Sequence, residues 1–183
     1  NNSTYNREPY NREPYTYNTS TYMWWVLANT WENPKYIQSY IEYTIDPILE
    51  KIDFSLFNSY LLVTPNKFAW VNQLFRVKFI ELFGRKIARD IFSYEHMKHA
   101  ITVVPDENEL AISFWEGEFD FANKKLNFPL PEKCDLAMIM AIGYYVIWKI
   151  QQSYPNYFQE NIGSYIKRVN ESWFSKWLSV IID

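Results

Sequence analysis

One cysteine, four glycines and two histidines among 183 residues remove several chemistries at the outset. A lone Cys134 has no partner for an internal disulfide and cannot build a cysteine-rich zinc site, which favours a reducing compartment. The scarcity of glycine agrees with the absence of G-x-G-x-x-G and G-x-x-x-x-G-K-[ST], so no loop-built phosphate cradle of those classes is present. No G-x-S-x-G occurs, and no histidine stands near Cys134 in the sequence, so no nucleophile with its base is visible. Positive charge is not in excess either: the net charge is -3 and the pI about 5.5, which gives no electrostatic case for nucleic acid or anionic membranes. The longest uncharged apolar run, Leu136 to Trp148, is thirteen residues, against the roughly 20 needed to span a bilayer. No membrane partner is therefore expected. With no charged apolar leader and no lipidation motif in view, the expectation is a cytoplasmic protein, or one of a virion or its host's cytoplasm.

What the chain has in excess is aromatic surface: 20% of residues, with eight Trp, fifteen Tyr and thirteen Phe. Aromatic side chains bury large areas and dominate cores and interfaces, so an excess beyond the needs of a core points to contact surfaces. The first 22 residues lack aliphatic apolar side chains and carry a tandem repeat, Asn6-Arg7-Glu8-Pro9-Tyr10 and Asn11-Arg12-Glu13-Pro14-Tyr15. Such a stretch cannot bury enough surface to offset its ordering entropy and is predicted to be a flexible arm. Tyr5, Tyr10, Tyr15 and Tyr17 are its candidate partner-binding anchors, against the plainer reading of a dispensable tail.

Residues 23–183 read as a single globular α+β domain with a helical N-terminal half, in which Tyr60 to Val63 is a short strand or helix end. Met23 to Trp31 is an apolar segment of either helix or strand type, and Pro34 opens an amphipathic helix that Asp46-Pro47 is predicted to break. Asn66 is read as the N-cap of a long helix, Lys67 to about Phe92, on which Phe75, Phe79, Phe83 and Ile87 recur every fourth residue, with Gly84 a point of kinking or splitting. The stretch from about 100 to 130 is predicted to be a small antiparallel β-meander, with strands near 100–104, 110–115, 118–121 and 126–130. A central helix follows at about 131–152. It is apolar on every side, so it is predicted to be buried all round, and it forms the hub of the fold. The chain ends in an amphipathic helix in which Ile162, Ile166, Val169, Trp173, Trp177 and Val180 step by four and three; its stripe faces the core, and Trp173 and Trp177 are also offered to a partner.

Three clusters deserve a chemical reading. Lys78, Arg85 and Arg89 share one row of the predicted long helix and form the candidate anion or nucleic-acid site, although Glu81 and Asp90 offset them. His96 and His99 share a helix face and, with Glu95 or Asp90, form a candidate metal site, but no Glu follows the first His as in zinc peptidases. Glu116, Glu118 and Asp120 would share one face of a strand and hold Mg²⁺ for a hydrolase. No acid-x-Lys follows them, so the PD-(D/E)xK nuclease pattern that Pro105-Asp106 invites is incomplete.

The resulting expectation is a non-enzymatic protein that binds a partner protein or a second copy of itself, as an assembly component or as an inhibitor or immunity protein, with no cofactor and no catalytic residue. Its Asn-, Ile-, Lys- and Tyr-rich vocabulary is common in phages and mobile elements. The alternatives are a nucleic-acid binder acting through the basic helix and a metal-dependent hydrolase acting through His96, His99 and the acidic strand.

Overall fold

Gly84 decides where the longest predicted helix stops. In the computed structural model, which describes residues 19–100, 104–114 and 122–171, it adopts φ +57 and ends the helix one turn after Ile80, whose carbonyl accepts from the Gly84 N–H. The residues beyond it form a strand rather than more helix.

The chain begins with α1 (Thr19–Thr30) and α2 (Pro34–Tyr40), the latter capped by the Asn33 side chain and started by Pro34. Asp46-Pro47 does not break this helical run as predicted. A π turn over Ile41–Ile45 carries it into α3 (Asp46–Leu49), with the Asp46 N–H donating to the Ile41 carbonyl. The wider turn absorbs the proline, which has no N–H to place. Then come β1 (Ser59–Thr64), a 3₁₀ turn over Asn66–Phe68, α4 (Val71–Phe83), β2 (Ala88–Ser93), α5 (Tyr94–Ala100), β3 (Glu109–Ser113), β4 (Lys125–Asn127), α6 (Leu136–Gln151) and α7 (Tyr157–Glu171).

The four strands form one sheet in the order β2-β1-β3-β4, and every pairing is parallel. This overturns the antiparallel meander, and also the helical N-terminal half, because β1 and β2 belong to the first hundred residues. The physical reason lies in the connections: β1 reaches β2 through α4, and β2 reaches β3 through α5, on crossovers that return the chain in the same direction. Leu62 pairs with both Ile91 and Ile112, so these three share a face. All three are buried in the main core, with Tyr60, Leu110 and Phe114. The predicted strand near 118–121 and part of that near 100–104 lie outside the described residues, while Ala100 closes α5.

Helix α6 supplies the centre of the core, and nine of its sixteen residues are buried. It begins at Asp135, not near Pro131 as predicted, and Trp148 is exposed, so its cover is not complete all round. Gly143 lets α4 approach closely: a Cβ there would lie 2.1 Å from Cζ of Phe75. The start of α6 is capped from far away in sequence. Glu32 Oε1 accepts from the N–H groups of Asp135 (3.0 Å) and Met138 (3.1 Å), and Oε2 accepts from that of Ala137 (2.7 Å). The Asp135 side chain accepts from Leu136 N–H at 2.8 Å. The orphan donors of the helix start are thereby satisfied, with negative charge at the positive end of its dipole. At the other end Lys149 pairs with Asp46 at 2.5 Å, and Tyr145 donates to the same carboxylate at 2.7 Å. The hydrogen bond from Lys149 is the main cause that holds the Asp46 carboxyl below its ordinary value. Among the described residues no helix is long and apolar enough to cross a membrane.

Candidate interaction surface

The structure separates the basic residues that a continuous helix would have aligned. Lys78 lies on α4, Arg85 in the turn after it and Arg89 on β2. Lys78 is buried and paired with Glu81 at 2.7 Å. Arg89 donates to the carbonyls of Gly84 (3.1 Å) and Ile87 (3.3 Å), and burial, followed by the nearby Arg85 and Arg76, lowers its pKa. Two of the three candidate phosphate ligands are thus engaged within the chain, and the helical row that motivated the site does not exist.

His96 and His99 both lie on α5, exposed, as the i, i+3 spacing implies. Their proposed companion Glu95 is bonded to Lys98 at 2.9 Å, which is the main cause lowering its pKa. The helix is held at its start by Asn66, whose side chain accepts from the Glu95 N–H at 2.9 Å. Asn66 therefore caps α5 and not the helix that follows it directly. Among the described residues no three His, Cys, Asp or Glu side chains gather as a metal site would need. The acidic trio Glu116, Glu118 and Asp120 lies outside the described residues, as do the arm with Tyr5, Tyr10, Tyr15 and Tyr17 and the terminal Trp173 and Trp177. Cys134 is buried, and burial, with the Glu32 carboxylate next in effect, pushes its thiol up to about 12, which leaves almost no thiolate near neutrality.

The aromatic residues divide by type. Of the ten described phenylalanines, eight are buried and none is exposed. Every described tryptophan is exposed: Trp24 by 77%, Trp25 by 67%, Trp31 by 91%, Trp70 by 47% and Trp148 by 45%. Phe75, Phe79, Phe83, Phe114 and Phe128 fill the core with tilted, edge-on and stacked contacts 5.2–6.3 Å between centroids, so the core has no call on indole. Tyrosine is divided. Tyr60 is wholly buried and hydrogen-bonded to Tyr154 at 2.8 Å, and Tyr154 also donates to the Phe57 carbonyl. Tyr36 and Tyr43 are exposed.

Five of these exposed aromatics, Trp24, Trp25, Trp31, Tyr36 and Tyr43, fall within twenty residues on α1, the turn after it, α2 and the π turn. Val26 is buried on the opposite side of α1, and Met23 and Leu27 pack beside it, fixing which side faces out. The backbone at Trp31 is firmly set although its side chain is exposed. It adopts φ +57, the left-handed position that closes a helix and normally falls to glycine. The next residue, Glu32, is locked to three amides at the start of α6. A bulky residue in that conformation costs about 1–2 kcal/mol relative to ordinary backbone, and Trp31 recovers little by contact because it stands in solvent. Backbone strain beneath an exposed indole is the kind of feature that clusters at functional positions.

Compared with known protein families, curated proteins and solved structures, the chain matches none. Sequence reasoning placed partner contacts at the two termini and overlooked Trp24, Trp25 and Trp31. The adjacent pair Trp24-Trp25 was the available signal, since two neighbours on a helix cannot both face one core. Nothing in the sequence marked Glu32 as a cap for a helix more than a hundred residues away.

Proposed function

We propose that this chain is a non-enzymatic interaction protein that docks on a partner protein through the exposed aromatic face of α1 and the turn after it. Such a role suits a component of an assembly, or an inhibitor or immunity protein that occludes its target. The observation that carries this reading is the division of the aromatics among the described residues: phenylalanine mostly in the core, tryptophan in solvent. Tryptophan is the residue most enriched at binding hot spots and least easily explained as ordinary surface. Burial of about 150–200 Å² per indole gives roughly 4–5 kcal/mol gross for each, so three approach the cost of association, about 4–15 kcal/mol. The fixed backbone around Trp31 lowers the ordering cost further, because the turn is already set before binding.

The test is co-purification of the full-length chain from its native host, compared with the Trp24→Ala/Trp31→Ala variant, with mass spectrometry and light scattering of what is recovered. The expected result is a stoichiometric partner held by the natural chain and lost by the variant, with circular dichroism unchanged. Equal recovery by both proteins would remove this surface from the binding reaction.

A further inference from the structure

A second surface lies apart from the tryptophans. Between α4 and α7 runs an open groove of about 660 Å³, lined by Val77 and Ile80 from one helix and by Phe158, Ile162 and Tyr165 from the other. Val77, Ile80 and Tyr165 are exposed, and among the described side chains of α7 none is buried, although the helix is amphipathic. Helix α7 therefore brings apolar surface to α4 without closing over it. Fully closed packing would have buried Phe158 and Ile162, which are only half-buried.

The groove has a charge as well as a shape. Its charged lining residues are Glu81, Arg85, Lys86 and Arg168. Glu81 is neutralised by Lys78 at 2.7 Å. The remaining three are all cationic, on a chain whose overall charge is -3. The local field is thus opposite in sign to that of the whole molecule. The lining along α7 runs from Phe158 to Arg168, about 15 Å at 1.5 Å per residue. That is about three helical turns, enough to receive anchors at i, i+4 and i+7 of a docked helix.

We propose that this groove receives one amphipathic helix of a partner protein, apolar along the face that enters and acidic along its flanks. The apolar anchors lie against Val77, Ile80, Phe158 and Ile162, and the acidic flanks meet Arg85, Lys86 and Arg168. This site does not rest on the tryptophan surface, and neither set of residues contains a member of the other. A nucleic acid is the poorer occupant, because an apolar floor between the cations offers phosphate nothing in place of water.

The test uses the full chain and three fluorescein-labelled probes: a helical peptide with leucines at i, i+4 and i+7 flanked by glutamates, the same peptide with lysines for glutamates, and a single-stranded oligothymidine of similar length. Fluorescence anisotropy at physiological salt is expected to show saturable binding of the glutamate peptide, with the lysine peptide at least about tenfold weaker. The Arg85→Glu/Arg168→Glu variant changes exposed positions and is expected to reverse that preference, and Ile80→Asp to abolish binding of both peptides. The proposal is overturned if the two peptides bind alike, if the charge variant leaves the preference unchanged, or if the oligothymidine binds and displaces the glutamate peptide. Loss of binding by the Trp24→Ala/Trp31→Ala variant would also count against it, by placing the peptide on the other surface.

Discussion

Replacing Gly143 by alanine sets two rules against each other, and the structure decides the sign. Helix propensity alone favours the change by about 1 kcal/mol, because glycine inside a helix loses the most backbone freedom. At this position the added Cβ would lie 2.1, 2.5 and 2.7 Å from three atoms of the Phe75 ring, where carbon atoms prefer about 3.5–4.0 Å. The ring has to retreat by roughly an ångström, and it has nowhere easy to go. Tyr144 meets it edge-on at 5.7 Å between centroids and Phe114 lies at 6.3 Å, both against a side chain with no exposed surface. Overpacking of this kind costs about 1–3 kcal/mol and outweighs the propensity gain, so Gly143→Ala is expected to destabilise by about 1–2 kcal/mol net. In urea unfolding followed by circular dichroism the midpoint falls with an unchanged slope, and the melting temperature drops by about 2–8 °C. Trimming the ring removes the obstacle: in a Phe75→Leu background the same Gly143→Ala change is expected to be neutral or stabilising by up to about 1 kcal/mol. A natural-background variant as stable as the parent, or a double-mutant cycle without coupling, would refute the close packing of α4 on α6.

Two further substitutions and one labelling experiment probe the N-terminal turn and the buried thiol. Glu32→Gln leaves one of its two oxygens to serve three amides, and it is expected to lower stability by about 1–3 kcal/mol in the same urea assay. Trp31→Gly removes the left-handed strain and is expected to raise stability by about 0.5–1 kcal/mol after allowance for glycine's greater unfolded-state freedom, while abolishing partner recovery; loss of stability would contradict the strained assignment. Cys134, with its thiol near 12, is expected to react with Ellman's reagent at pH 8 only on the timescale of unfolding, and rapid labelling of the native protein would show the site to be open.

How far the sequence revealed this fold depends on the range of the interaction that decides each element. Asn33-Pro34 marked the start of α2 and the apolar run 136–148 marked the core of α6, because both signals are local. The direction of the strands was not local. Leu110 to Trp115 reads as a strand in either sheet type, and only the helical crossovers through α4 and α5 decide for parallel. Strand β2 was hidden for a related reason: Ala-Arg-Asp-Ile-Phe-Ser is an edge strand whose first half is small or charged and not buried, and Ile87 before it happens to extend the four-residue period of Phe75, Phe79 and Phe83. The proposed interaction surface was half legible. Aromatic excess pointed towards contact surfaces, but which aromatics are spared from the core follows from three-dimensional volume, and among the described residues the five exposed tryptophans are the remainder once phenylalanine has filled it.

The carboxylate of Glu32 also makes α1 and the core helix a single mechanical unit. Between an indole standing in solvent and the first amides of α6 there is one peptide bond and one side chain. A load applied at Trp31 therefore enters the protein at the first turn of its central helix. When that indole is seized by a partner, the slowing of amide hydrogen exchange should spread beyond the contact itself to residues 135–138, where an outside observer can read engagement of the surface from the interior of the molecule.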